Sequence, residues 1–332
     1  MSRLGLFLAL GGLVIAVLLL AHQDMAEVGA LLGTAGFGLI LASLAHVPSM
    51  ALNAQAWRVL LPQRGRPSLP GMTANVWIRE SVNGLLPVAR VGGEVASYRL
   101  LRGGGTGVAP AAASLMVDMA ISILSQLAFA LLGLALLAWA GAGVGWGGLA
   151  LGMLGGFGLA GGFILAQRAD LFGRTAALLN RFGAGRFAIF AAHSRAIDRM
   201  TRRLWGARSA IIACFLWQSA GWLAGSLEIW LALHFLGSPV TLAEALAIEA
   251  LVQAVSSAAF LVPGALGLQE AGFLGVGLLL GLSPEMATAL AIARRIRDMV
   301  IFLPGLLGWV WAERRLAAAL PKPRADTPPQ RA

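Results

Sequence analysis

The sequence predicts an all-α polytopic integral membrane protein with about six full transmembrane helices and two inverted re-entrant helical hairpins. Three observations carry this reading. The chain of 332 residues is 58% hydrophobic and only 12% charged, far from the balance of a soluble domain. Several of its apolar runs reach about 20 residues, the length that crosses a bilayer core. Two further regions, Met72 to Arg102 and Leu242 to Leu282, are too charged or too broken by Gly and Pro to be simple crossings.

Leu4 to Ala21 is the first crossing. It follows a lone Arg3, lacks a small-residue cleavage site and exceeds the ~7–15 residues of a signal-peptide core, so it reads as a retained helix. The next crossings are Val28 to Pro48, Ala111 to Ala138, Val144 to Ala166 and Ile211 to Phe235, and a last one ends near Trp311. Residues 1–318 form one membrane domain. The tail PKPRADTPPQRA is polar and proline-rich, and residues 319–332 read as a disordered cytoplasmic segment.

Arginine placement sets the orientation. Residues 167–209 hold nine arginines, Arg58, Arg64 and Arg66 fill another connection, and Arg314, Arg315, Lys322 and Arg324 follow the last crossing. Connections at 22–27, 140–145, 237–241 and 282–285 contain neither Lys nor Arg. Cytoplasmic loops carry the basic excess, so both termini are expected in the cytoplasm. Residues 167–209 are an Arg-rich amphipathic loop in which Ile197, Met200 and Leu204 face one way and Arg195, Arg199 and Arg202 another, as an interfacial helix on anionic headgroups would.

The net charge of +10 belongs to these loops, so no nucleic-acid partner is expected. Cys214 is the only cysteine, and His22, His46, His193 and His234 fit no ligand spacing. No metal and no cofactor are expected. The phosphate-binding G-x-x-x-x-G-K-[ST], the nucleophile elbow G-x-S-x-G and the zinc motif H-E-x-x-H are all missing, and no enzymatic activity is expected.

The two awkward regions share a pattern. LPVARVGGEVA (86–96) aligns with VPGALGLQEAG (262–272) so that Pro87 meets Pro263, Ala89 meets Ala265 and Glu94 meets Glu270. By the arginine count, the first hairpin enters from the cytoplasm and the second from outside; read instead as two crossings joined by a tight loop, each region would leave the orientation of the termini unchanged. Inverted repeats interrupted by Gly and Pro mark transporter sites near the bilayer midplane, because freed backbone groups are tolerated at that depth only against protein or water.

Ionisable residues inside spans or hairpins cost about 2.5–3.5 kcal/mol each at a helix centre, so they must pair or line a wet cavity. Helical spacing favours a cavity. Ser114, Asp118, Ser122 and Ser125 form one polar stripe, and Gln218, Gly221, Gly225 and Glu228 form a second. Glu249, Gln253 and Ser256 form a third, and Asn75, Arg79 and Asn83 a fourth. Arg79, Arg90, Arg294, Arg295 and Arg297 offer forks suited to phosphate. Glu94, Asp118, Glu228, Glu249 and Glu270 would neutralise them, bind an amine or carry protons. Arg294 and Asp298 are spaced to pair on one helix.

SVNGLLPVARVGGEVASYRLLR and AFLVPGALGLQEAGFLGVGLLLGL resemble the two signature regions of the flippase-like membrane domain found at the N-terminus of lysylphosphatidylglycerol synthetases. RRIRDMVIFLPGLLGWVWAERR further resembles the stand-alone branch encoded with hopanoid biosynthesis. By residue match, Pro87, Arg90, Gly92, Gly93 and Glu94, then Pro263, Gly264, Gly267, Gln269 and Glu270, take the signature positions. The resemblance implies transbilayer movement or export of a polar-headed lipid, hopanoid-related or phospholipid, in the bacterial inner membrane. The expected partners are membrane lipids, anionic or otherwise polar-headed, and lipid-biosynthesis enzymes. The substrate-facing residues would be Arg79, Glu80, Asn83, Asp118, Glu228, Glu249, Gln253, Arg294, Arg297 and Asp298 with the signature positions. A non-transporting scaffold for hopanoid or lipid-modifying enzymes is one alternative, and a small-ion or proton-coupled solute transporter, which the intramembrane carboxylates would permit, is another.

Overall fold

The computed structural model describes residues 23–86, 92–141, 188–258 and 265–319, with isolated positions at 14, 17, 18, 21, 147 and 165. The expected crossings Leu4 to Ala21 and Val144 to Ala166, the first part of the Arg-rich loop and nearly all of the C-terminal tail lie outside the described residues, apart from those isolated positions.

Among the described residues every regular element is helical. They are α1 (Met25–Ala35), α2 (Gly38–Leu44), α3 (Val47–Val59), α4 (Leu69–Leu85), α5 (Gly92–Gly103) and α6 (Val108–Trp139). Then come α7 (Ala188–Gly206), α8 (Arg208–Phe235), α9 (Leu242–Ala258), α10 (Leu268–Leu279), α11 (Pro284–Arg297) and α12 (Leu303–Ala319). A π-helical turn, Asp298–Phe302, joins α11 to α12. By length and apolarity alone, α6 and α8 are long enough to cross a membrane.

Interhelical contacts define two ends of the bundle. α6 and α8 run parallel, since Asp118 meets Gln218 and, further along both, Ser125 meets Trp222. α3 runs antiparallel to α8: Ser49 donates to the Gly221 carbonyl, while Ala56 and Leu60 pack around Cys214. One end therefore gathers the start of α6, the start of α8 and the end of α3, with Arg58, Arg102 and Arg208 beside them. The other end holds the turns after α6 and α8, which lack basic residues.

The second crossing departs from expectation. α1 and the run Gly38–Val59 meet at 73°, and Gly38 packs against Phe235 at the arginine-poor end. The segment that passes from end to end is thus Gly38–Val59, displaced toward the C-terminus from the expected Val28 to Pro48. Asn53 faces the interior, and Gln55 accepts from Arg58 at the end of the helix. These polar groups lower the hydropathy of a segment that meets protein more than lipid.

The hairpins are real and opposed. In the first, Met72 of α4 packs with Leu61, with Leu101 of α5 and with Ala111 of α6 at the arginine-rich end. Deeper in, Asn75 donates to the Ser97 carbonyl and the Gly93 N–H donates to Asn83 Oδ1 at 2.9 Å, so α4 and α5 are antiparallel and return to the end they entered. In the second, Gln126 of α6 donates to the Gln253 carbonyl, whereas Gly133 lies on Ala247 and Ala250. α9 therefore enters from the arginine-poor end, where Leu280, just past α10, shares a groove with Trp139 and Thr241. α4 and α9 each have 17 residues and α5 and α10 each have 12. At 1.5 Å per residue, even about 25 Å falls short of a ~30 Å core.

α11, the π turn and α12 form one continuous run to the arginine-rich end, where Arg99 pairs with Glu313 at 2.8 Å. The π turn frees carbonyls from the α-helical ladder, and Trp77 Nε1 donates to that of Ile301 at 2.6 Å. Trp77→Phe should lower unfolding stability by about 1–2 kcal/mol, read as earlier thermal unfolding in detergent. Such turns recur at functional sites, and four ionisable residues cluster here.

α7 packs differently from the expected interfacial helix. Leu204, Met200 and Trp205 join Val117, Ile121 and Cys214 in one apolar cluster, but Ile197 does not. The buried stripe is Ser194, Asp198, Thr201 and Leu204, with Arg195, Arg199 and Arg202 exposed. Polar residues are tolerated on that inner face because it meets α6 and α8 rather than hydrocarbon.

Candidate functional site

A cavity of about 300 Å³ opens where the inner ends of α4, α5, α9 and α10 meet α3, α6, α8 and α11. The four polar stripes converge around it. Ten of the expected site residues line its wall: Arg79, Glu80, Asn83, Glu94, Asp118, Glu249, Gln253, Gln269, Arg297 and Asp298. Glu228, Arg294, Gly92, Gly93, Gly267 and Glu270 are not part of the lining. Pro87, Arg90, Pro263 and Gly264 lie outside the described residues.

Three ionic groups organise the wall. In the first, Arg79 bonds Asp118 at 2.9 Å, Gln218 donates to the other Asp118 oxygen at 2.9 Å, and Glu94 lies 3.9 Å from Arg79. Asn83 donates to Glu94 Oε1. The Arg79 guanidinium also covers the Trp57 ring, 5.3 Å from its centre, a cation–π contact that orients it.

The second group runs from the wall inward: Glu249, Arg297, His46 and Glu80 line the cavity, with Arg294 and Glu228 behind them. Arg294 is only 2% exposed and bonds both Glu228, at 3.3 Å, and Glu249. Arg297 approaches Glu228 at 3.4 Å and stands 4.7 Å over the Phe302 ring. His46 lies between Glu228, 3.2 Å from Nδ1, and Glu80, 3.4 Å from Nε2.

In the third, Arg295 bonds Glu270 at 2.7 Å and Asp298 at 3.3 Å. The pairing expected between Arg294 and Asp298 does not form: Asp298 pairs with Arg295 and Arg297, while Arg294 turns to α8 and α9. Asp298 opens the π turn, which departs from the α-helical geometry that the i, i+4 spacing assumes.

Sequence reasoning missed His46, Ser49, Asn53 and Trp222, all lining the cavity, and left Arg295 out of the site although it too lines the wall. The signal existed, since His46, Ser49 and Asn53 follow i, i+3, i+7 spacing. It was hidden because the crossing was placed over residues 28–48, which puts His46 at a helix end.

Comparison with protein families matches residues 4–305 to the lysylphosphatidylglycerol synthase TM region. The chain belongs to this family. Comparison with curated proteins and with solved structures finds no match. As a lysylphosphatidylglycerol synthase TM-region protein it is a multi-pass membrane protein of a lipid-related family, and the match includes both hairpins and every cavity residue named above.

In this family member the paired motifs occupy equivalent places but are wired differently. Glu94 and Glu270 are each the third residue of a 12-residue second arm. Glu94 faces Asn83 and Arg79 of its own hairpin. Glu270 accepts from the Gly267 N–H at 2.7 Å, holding the start of α10, and reaches out to Arg295. Gly267 has φ of +76°, a left-handed conformation suited to glycine. Gly93 is required for another reason: a Cβ there would collide with the Arg79 carbonyl and the Asn83 side chain.

Proposed function

We propose that this protein moves a polar-headed lipid between the leaflets of the bacterial inner membrane, its headgroup passing through the cavity between the opposed hairpins. The observation that carries this reading is the cavity itself: about 300 Å³, half-open, lined by both signs of charge and framed by helices that expose large apolar side chains. That volume is at the lower end for small-molecule sites, enough for a headgroup while the tails stay in lipid. Hopanoid-related lipids and phospholipids are the substrate classes this reading admits.

The roles divide by position. Arg295 and Arg297 line the cavity and would meet a phosphate. Arg79 also lines it, and like Arg295 and Arg297 it is paired with a carboxylate that a phosphate would displace, whereas Arg294, bonded to Glu228 and Glu249 behind the wall, would fix the wall rather than touch the headgroup. Glu94 Oε2 is buried without a hydrogen-bond partner among the described residues, which suits it to receive an amine or hydroxyl. The protein acts in this reading as a carrier and performs no covalent chemistry.

Purified protein reconstituted in vesicles with a fluorescent phosphatidylethanolamine should accelerate transbilayer movement. Glu94→Gln and Glu270→Gln should each slow it about tenfold, equivalent to about 1.4 kcal/mol of barrier; thermal unfolding should change little in Glu94→Gln and fall moderately in Glu270→Gln, which loses the charge paired with Arg295. Wild-type rates in both variants would contradict the reading. Mass spectrometry of lipids retained on purification would identify the headgroup.

A further inference from the structure

His46 lines the cavity at the start of α3. Its two ring nitrogens face carboxylates from different helices, Glu80 of α4 at 3.4 Å and Glu228 of α8 at 3.2 Å. The Glu228 contact is an ion-pair approach rather than an aligned hydrogen bond. A neutral imidazole has one N–H and one lone pair, and ionised carboxylates only accept. With His46 neutral and both acids ionised, one nitrogen lone pair would oppose a carboxylate lone pair. The arrangement is consistent only when the three groups share one additional proton.

The surroundings point the same way. Four guanidiniums, Arg79, Arg294, Arg295 and Arg297, accompany seven carboxylates, Glu80, Glu94, Asp118, Glu228, Glu249, Glu270 and Asp298, among the described interior residues. From α11 and the π turn, Arg297 and Asp298 approach the same cluster, and the Phe302 ring stands edge-on to His46 at 6.0 Å. From α8 and α9, Glu228 and Glu249 are joined through Arg294. Arg79 and Glu94 of the first hairpin line the same cavity as Glu80 and pair with each other at 3.9 Å. Arg297 opposes a positive imidazole, whereas the carboxylates favour it.

We infer that His46, Glu80 and Glu228 form a proton-binding site whose occupancy latches the first hairpin, through Glu80, to α3 and α8. The proton is the ligand, and the latch is the physical link between proton and headgroup: releasing it leaves Glu80 and Glu228 without their shared cation and frees α4 to move beside the cavity. The sign follows directly. The latch is closed at acid pH, where His46 carries its charge, and opens as pH rises and the proton leaves. The proton site stands on the geometry alone; its coupling to lipid movement rests on the proposed translocation.

Two measurements test these parts separately. NMR of protein labelled in its histidine rings, with His46→Gln assigning one of the four signals, should show His46 charged at acid pH and losing its proton as pH rises. Its midpoint should fall by about one pH unit in Glu80→Gln, because an anionic partner has been removed. A His46 signal that stays neutral throughout, or a midpoint that ignores Glu80→Gln, overturns the site.

In vesicles carrying fluorescent phosphatidylethanolamine, wild-type movement should rise about tenfold from about pH 6 to about pH 8. His46→Gln, normalised to its own fastest rate, should vary less than about twofold over the same range. A wild-type-like pH profile in His46→Gln overturns the coupling. Absence of lipid movement by the wild type would reject the translocation reading and the coupling with it, while the NMR titration still decides the proton site.

Discussion

Arg294→Leu is expected to destabilise the protein by about 3–5 kcal/mol, because it removes one member of a buried ionic group, leaving Glu249 uncompensated and Glu228 with only Arg297 and His46. Arg294 is 2% exposed, and it bonds Glu228 and Glu249 on two different helices. Its guanidinium also stands 5.6 Å from the Phe273 ring centre, so α8, α9, α10 and α11 meet through one side chain. The ten tryptophans of the chain allow thermal unfolding to be followed by intrinsic fluorescence. Arg294→Lys keeps the charge but loses the planar fork that serves two acceptors, and should fall between wild type and Arg294→Leu. A midpoint for Arg294→Leu within about 2 °C of wild type would contradict this account.

Gly93→Val should open the first hairpin. The side chain would be driven into the carbonyl of Arg79, which cannot retreat without moving α4, and into Asn83, which accepts from the Gly93 N–H. Overpacking of this kind costs about 1–3 kcal/mol. The functional effect should exceed the stability effect, because Arg79, Asn83 and Glu94 all line the cavity and Glu94 is held by Asn83. A loss of more than about tenfold in vesicle lipid movement, beside a moderate drop in unfolding temperature, is the expected pair of results. Gly104→Ala is the control: a Cβ there meets only ordinary contacts, at 3.5 Å, from the Leu100 and Leu101 carbonyls. Equal behaviour of the two variants would show that the close approach at Gly93 is not what holds the hairpin.

Much of this arrangement is legible in the sequence. Period-3.6 stripes such as Gln218, Gly221, Gly225 and Glu228 read directly as one face of a helix, and all four stripes turned toward one interior. The repeat of Pro, Gly and Glu in LPVARVGGEVA and VPGALGLQEAG identified two interrupted segments, and the arginine distribution separated the ends they enter from. The misplaced second crossing shows where such reading fails. Hydropathy measures preference for lipid, and a crossing that meets polar protein surface, like Gly38–Val59, scores poorly for that reason. His46 was consequently left at a supposed helix end, although the fold brings it between Glu80 and Glu228.

The sequence by itself determined the solvent, the helical class and the list of residues that had to be sheltered, because the cost of charge in hydrocarbon and the breaks made by Gly and Pro are local properties. Tertiary structure alone decided the partners. Arg294 turned to Glu228 and Glu249 rather than to Asp298, and α7 placed polar residues against α6 and α8. Glu94 and Glu270 took equivalent places with different contacts. Pairing of buried charges depends on which helices approach at a given depth and on the turn of the backbone between them, here a π turn at Asp298, and neither is encoded in spacing along one helix.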